Sequence, residues 1–254
     1  MKALVIRKKA FSESDLIVDF LLEDGQISSG FAMAARKSRR RFPHQFYFGA
    51  LYELSWAPAS LEHQLKRIQS CEVIESHPQY IENIDLFSRW STVLEWIYTN
   101  KLEPHSFEQI YQLLSSLPSQ KGLLNYYLYF IEEVKRHGLS PRLDRCIVCH
   151  KEVAEIYFSL SDGGISHGKC KQGIELSSKI FNFLKIAFSD QPNDLSGFSL
   201  LTEDSKTLDQ VVLPFLEWQL GQTLKSRQFL FQTSHPAQRR APETALNVFS
   251  KSLR

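Results

Sequence analysis

Residues 15–35 read DLIVDFLLEDGQISSGFAMAA: two apolar runs joined across Glu23-Asp24-Gly25-Gln26, with a glycine inside the second run. The runs 15–22 and 27–35 each have the length of a strand, and Gly25 suits the positive φ of a tight reversal. Gly30, inside the second run, predicts a bulge or sharp bend. Working outward, 2–7 is a short apolar strand before this pair, and 47–56 and 64–74 follow it. About five short strands with an interior glycine fit a small closed Greek-key barrel such as the OB-fold. A flat five-stranded sheet covered by helices fits the pattern nearly as well.

After His77-Pro78 the period changes. Ile81, Ile84, Phe87, Trp90, Val93, Leu94 and Ile97 recur at three- and four-residue intervals, which predicts one amphipathic helix. The stretches 107–117 and 123–137 repeat the pattern, the second stopping at His137-Gly138 with Pro141 beyond. Helical patterning resumes over 177–188, where Ser177 suits a cap, and over 205–220, ended by Gly221. The reading is therefore α+β: a β-domain over 1–78, a helical domain over 79–232 interrupted by a Cys/His/Gly-rich element at 142–176, and a weakly anchored tail over 233–254.

The chain has 254 residues, of which 43% are hydrophobic and 23% charged, an ordinary globular composition with a net charge of +2. No apolar run approaches the roughly 20 residues needed to cross a bilayer, and the first residues are too short an apolar stretch for a secretory signal. Four cysteines are too few for a disulfide scaffold in a chain of this length. These features predict a cytoplasmic protein without a membrane partner.

Cys146-Ile147-Val148-Cys149 is a CxxC knuckle, and seventeen residues separate it from His167-Gly168-Lys169-Cys170, an HxxC knuckle. Two such knuckles at this spacing let four ligands close a tetrahedron around Zn²⁺. Gly163-Gly164 would permit the reversal that brings one onto the other. Four protein ligands leave no open position for water, so the metal would be structural. Competing readings are His150 as the fourth ligand, plain reduced cysteines, or a redox CxxC, although no strand–helix context of the thioredoxin kind surrounds it. Cys71 lies among strand-like residues and reads as a small buried hydrophobe.

Between residues 36 and 41 five of six side chains are cationic: Arg36, Lys37, Arg39, Arg40 and Arg41, interrupted by Ser38. Such a run repels itself unless it is solvated or faces a polyanion. The cations and the Ser38 hydroxyl are candidates for phosphate contacts. Phe42, Phe46, Tyr47 and Phe48 offer rings either to unstacked bases or to the core of the β-domain. Lys225 and Arg227 form a smaller cluster after Gly221, suited to phosphate contact or to closing off a helix end. Lys135 and Arg136 end an amphipathic helix, where cations complement its dipole.

Several ordered motifs resemble the RecO family of bacterial recombination mediators, over about residues 2 to 230. Glu13-Ser14-Asp15 with the following strand and the Asp24-Gly25 turn is similar to the family's N-terminal pattern. Ala34-Ala35-Arg36-Lys37-Ser38-Arg39 resembles its KGARRSKS-like stretch, with Ala34-Ala35 where Lys-Gly is usual. Asp144-Arg145-Cys146-Ile147-Val148-Cys149 resembles LDRCVVCG, and Tyr157-Phe158-Ser159 and Gly163-Gly164 match its YFS and GG. Leu224-Lys225-Ser226-Arg227-Gln228-Phe229-Leu230 is close to LKSRxFL. The second knuckle departs, with His167 where metal-bearing members usually have cysteine.

The resemblance implies an N-terminal OB-fold, a helical body with an inserted zinc element, and no catalytic residue. It further implies binding of single- and double-stranded DNA, strand annealing at the nucleoid, and work with RecR and the acidic, apolar tail of single-strand-binding protein to load RecA, a tail for which Lys135 and Arg136 are the candidate contacts. Two rivals from other classes are a zinc-stapled protein–protein adaptor and a zinc-dependent hydrolase using Glu152 or Glu155 as base.

Overall fold

The computed structural model describes residues 1–38, 42, 46–47, 50–57, 65–100, 105–171, 173–189, 195, 197–227 and 230, with Ile81 as backbone alone. These form two compact units, one of Met1–Ser115 with the described residues from Leu224 onward, the other of Ser116–Thr223.

The first unit is built on β1 (Lys2–Ala10), β2 (Leu16–Leu22), β3 (Ile27–Ala32), β4 (Leu51–Trp56) and β5 (Lys66–Glu75). They close a barrel in the order β1-β2-β3-β5-β4, with β4 returning to β1 through Lys2↔Glu53, Ala3↔Tyr52 and Leu4↔Leu51. Closure removes the flat-sheet alternative. The parallel seam between β3 and β5 rests on Gly30↔Lys66 and Phe31↔Arg67. Alternate residues point inward, so Val18, Phe20, Tyr52, Leu54 and Ile68 fill the interior.

Gly30 is not a bulge. The β2–β3 register runs unbroken from Leu16↔Ala32 to Leu21↔Ile27. A Cβ at Gly30 would lie 2.7 Å from the Trp56 ring and 2.8 Å from Ile68, so the glycine lets the wall approach these interior side chains. The bulge in the first hairpin falls between Val5 and Arg7 instead.

Beyond the barrel come α1 (Gln79–Glu82), α2 (Ile84–Thr99) and α3 (Phe107–Ser116). The single helix predicted across 81–97 is broken at Asn83, whose backbone is extended (φ −121°, ψ 113°) and whose side chain caps α2 by accepting from the N–H groups of Asp85 and Leu86. From α2, Tyr98 offers its ring to the Arg7 guanidinium of β1 at 4.6 Å, and Asp19 lies 3.8 Å from the same cation. Strands thus give way to helices between residues 75 and 79, while the compact unit extends through 115.

The second unit holds α4 (Gln120–Arg136), α5 (Ser178–Ala187) and α6 (Thr202–Leu220), with a small antiparallel sheet in the order β7-β6-β8. Its strands are β6 (Ile156–Ser159), β7 (Gly164–Ser166) and β8 (Ile174–Leu176). Ser119 and Ser177 cap α4 and α5, and Gly221 ends α6 in the left-handed region at φ 63°. Tyr127 of α4 reaches across to α6, donating to Asp209 at 2.7 Å in a buried contact. No helix of the described residues is long and apolar enough to cross a membrane.

Candidate metal centre and nucleic-acid interface

The two knuckles come together. Ligand atoms of Cys146, Cys149, His167 and Cys170 all lie within 4.8 Å of one another. The first knuckle is tied by the His150 N–H to the Cys146 carbonyl (2.9 Å) and by the Val148 N–H to the Cys146 sulfur (3.4 Å). The Ile147 N–H donates to Ile165 at 2.9 Å, which fastens this knuckle to β7. Gly163 turns the chain at φ 65°, and a Cβ on Gly164 would lie 2.5 Å from Ile147, so both glycines are required where the elements meet.

The donor set fits a tetrahedral soft-to-borderline cation. Nδ1 of His167 sits 3.6 Å from the Cys149 sulfur and 3.5 Å from the Cys170 sulfur. A tetrahedron with metal–sulfur bonds of about 2.3 Å and a metal–nitrogen bond of about 2.0 Å has nitrogen–sulfur edges of roughly 3.5 Å. The other ring nitrogen, Nε2, donates to the Glu152 carbonyl at 2.8 Å, which leaves Nδ1 with its lone pair toward the thiols. Burial opposes ionisation of Cys146, yet the N–H groups of Cys149, Val148 and His167 hold its thiol down at about 6. Cys170 is raised to about 11, first by its hydrogen bond with Cys149 and then by burial. Three thiols crowded this closely resist ionising together unless a cation neutralises them.

His150, the rival fourth ligand, stands outside this cluster and ends the first knuckle with a left-handed backbone, φ 61°. Glu152 supplies its backbone carbonyl to His167. Cys71 is a buried barrel residue, as its strand context predicted, and burial pushes its thiol up to about 12.

The basic run leaves the end of β3 through a pinned turn. Ala34 is left-handed at φ 59°, so the residue that would favour glycine is Ala34 and not Ala35. Its N–H donates to Asp15 Oδ1 at 2.8 Å, and that contact, followed by the Ser12 hydroxyl, holds the Asp15 carboxyl below the ordinary carboxylate range. The Arg36 N–H donates to Ser14 (2.9 Å), its guanidinium donates to the Ser12 carbonyl (2.7 Å), and the Ser38 N–H donates to Ala34 (2.8 Å). The Lys37 ammonium is well exposed, 3.7 Å from Glu13. Arg39, Arg40 and Arg41 lie outside the described residues, as do Phe48 and the tail beyond 230.

Phe42 and Phe46 do not offer their rings outward. Both are 2% exposed in the barrel core, 5.3 Å apart. The exposed aromatic pair lies elsewhere: Phe11, 64% exposed, meets the half-buried Phe31 edge-on at 5.6 Å. The strand registers set Phe31 in an outward row with Lys9, Ile17 and Arg67. Sequence reasoning passed over this row. The inward neighbours Gly30 and Ala32 were its signal, since alternation turns Phe31 to the other face.

Lys225 and Arg227 sit on a 3₁₀ turn, Lys225–Arg227, held by the buried Glu95 of α2. Glu95 accepts from the Lys225 N–H at 3.0 Å, the Ser226 N–H at 2.8 Å and the Ser226 hydroxyl at 2.6 Å. Lys225 is exposed and Arg227 half-buried. Lys135 donates to Glu132 and to the Ser189 carbonyl, and Arg136 pairs with Glu133.

Residues 1–77 match the sequence model for recombination protein O, N terminal, and residues 91–228 match that for its C terminal part. A DNA repair protein RecO from Halalkalibacterium halodurans is 26% identical over 245 residues, covering 91% of this chain and 93% of the relative. One from Listeria monocytogenes is 25% identical over 241 residues, covering 90% and 92%. Another, from Syntrophus aciditrophicus, is 25% identical over 179 residues, covering 66% and 68%. With the C-terminal match alone spanning more than half of its residues, the chain belongs to the recombination protein O family.

Proposed function

We propose that this protein is a DNA-binding recombination mediator: it holds single- and double-stranded DNA on an OB-fold barrel, promotes annealing, and with RecR helps load RecA onto strands coated by single-strand-binding protein. Its family membership makes it a non-enzymatic protein. The observation that carries the reading is the pinned turn at residues 34–38, which starts the cationic run at the rim of a closed barrel. Arg36, Lys37, Arg39, Arg40 and Arg41 would contact phosphates without reading sequence, releasing counterions and reducing repulsion between two strands. Ser38, Lys225 and Arg227 would extend the same surface chemistry. Lys135 and Arg136 are the proposed docking point for the acidic tail of single-strand-binding protein, exchanging their present carboxylate partners for the tail's.

In this reading the Cys₃His cluster binds Zn²⁺ as a structural staple: Cys146, Cys149, His167 and Cys170 hold it, and it ties the first knuckle to the β6–β7 hairpin. Fluorescence anisotropy with a single-stranded oligonucleotide across salt concentrations tests the function. If about four phosphates are neutralised, log K falls with log[salt] at a slope of roughly −3 to −4. Changing all five cations of the run to alanine is expected to remove most affinity and leave the melting temperature unchanged. Unaltered binding in that variant would refute the assignment. Salt-insensitive or absent binding in the wild type would favour a protein–protein adaptor.

A further inference from the structure

The outer wall of the barrel combines aromatic and cationic groups in one place. Lys9 pairs with Ile17, Ile17 with Phe31, and Phe31 with Arg67, so four adjacent strands contribute one row. Three strand spacings make that row about 14 Å wide. Val18, Ala32 and Ile68, the next residues along three of these strands, are buried, which fixes the row as outward-facing. Lys9 and Arg67 are exposed. Phe11, 64% exposed, meets the Phe31 ring of this row edge-on, the two planes at 86°.

Isolated exposed apolar side chains are ordinary. Two rings meeting each other within a cationic border are a different arrangement. The Ser12 carbonyl, one residue after Phe11, receives the Arg36 guanidinium, so the first cation of the run is braced beside the rings. Glu13 and Asp15 are the acids in this stretch; Glu13 faces Lys37, and Asp15 is occupied by the Ala34 N–H and by Ser12 and Ser14. The combination complements a polyanion whose flat faces are accessible. A duplex buries its base faces between neighbours; a single strand presents them.

We infer that Phe11 and Phe31 form a stacking step for unpaired bases of single-stranded DNA, with Lys9, Arg36, Lys37 and Arg67 holding the phosphates around them. This rests on the DNA-binding reading above and adds strand selectivity to it. Stacking and phosphate contacts separate experimentally because only the latter release counterions. The double variant F11A/F31L, in the full chain, keeps apolar volume at the half-buried position; F11A alone changes an exposed ring and serves if F31L lowers the melting temperature.

Binding is measured by anisotropy with an oligothymidine and with a duplex of the same length over a salt series. A second probe is a single strand carrying 2-aminopurine, whose fluorescence responds to stacking. F11A/F31L is expected to weaken single-strand binding about ten-fold, leave duplex binding within two-fold (~2×) as no base face is offered, and leave the salt slope unchanged. The 2-aminopurine response should be lost. Wild-type affinity for the single strand in this variant, or equal loss on single strand and duplex, overturns the inference. If R36A/K37A lowers the salt slope while F11A/F31L changes nothing, the phosphate reading stands and the stacking step falls. If the wild type binds neither nucleic acid, the DNA-binding reading itself fails and takes this one with it.

Discussion

Glu95 is the side chain whose replacement should reveal most about how the first unit is assembled. It is 3% exposed on α2 and receives three hydrogen bonds from Lys225 and Ser226. Glutamine keeps the shape but has one acceptor oxygen, and its amide group meets an N–H that had a carboxylate oxygen. Hydrogen bonds to a charged group contribute about 1.5–3 kcal/mol against about 0.5–1.5 kcal/mol for neutral ones. Two bonds weakened by roughly 1 kcal/mol each, plus one donor stranded at about 1–2 kcal/mol, give a loss of about 3–4 kcal/mol for Glu95→Gln. Alanine should cost about 3–5 kcal/mol, because it also strips the partner from every donor. The assay is urea unfolding followed by tryptophan fluorescence, since Trp90 and Trp96 lie on the same helix and are each 1% exposed. A Glu95→Gln midpoint equivalent to less than about 0.5 kcal/mol of destabilisation would refute the claim that this carboxylate anchors the C-terminal turn.

Ala34→Gly should stabilise the protein by about 0.5–1 kcal/mol, the relief of a left-handed alanine outweighing the extra freedom of glycine in the unfolded chain; a melting temperature equal to or below wild type would contradict it. Removing metal with a chelator should loosen the β6–β8 element while the barrel stays folded, read by hydrogen exchange of the two units separately. His167→Cys should retain stoichiometric zinc in metal analysis, and His167→Ala should lose it. The lowered Asp15 pKa means its contribution to stability is fully present above the ordinary aspartate value near 3.9 and is lost as pH falls through its folded value. Melting curves of Asp15→Asn should accordingly lie closest to wild type at the lowest pH and furthest from it near neutrality.

What was legible in the sequence was what is local. The Asp24-Gly25 reversal, the presence of five strands and the spacing of the two knuckles each depend on a few consecutive residues, and the structure has them in place, although β1 runs on to Ala10, β3 stops at Ala32 and β4 starts only at Leu51. Gly30 was misread because its reason lies on other strands, in Trp56 and Ile68. For Phe42 and Phe46 the sequence leaves base faces and the barrel core both open, and only the closed barrel, which needs their volume inside, decides for the core. The break at Asn83 was hidden because the apolar period continues through it, while the Asn side chain offers α2 a better start than continuity would. Glu95 could not have been paired with Ser226, 131 residues away, by any periodicity.

The seam between β3 and β5 has a consequence for how copies of the protein meet. Closure there rests on Gly30 and Phe31 against Lys66 and Arg67, while β2 and β3 pair along their whole shared length. A barrel so closed is part way to an open sheet, and an open edge invites another chain to add a strand. Lys66 and Arg67 stand at that edge, both exposed. Two molecules approaching edge to edge would bring like charges together where the barrel has its shortest backbone pairing among the described residues. The same cations that suit a polyanion would thus oppose strand addition along this seam, as charged side chains do at exposed strand edges.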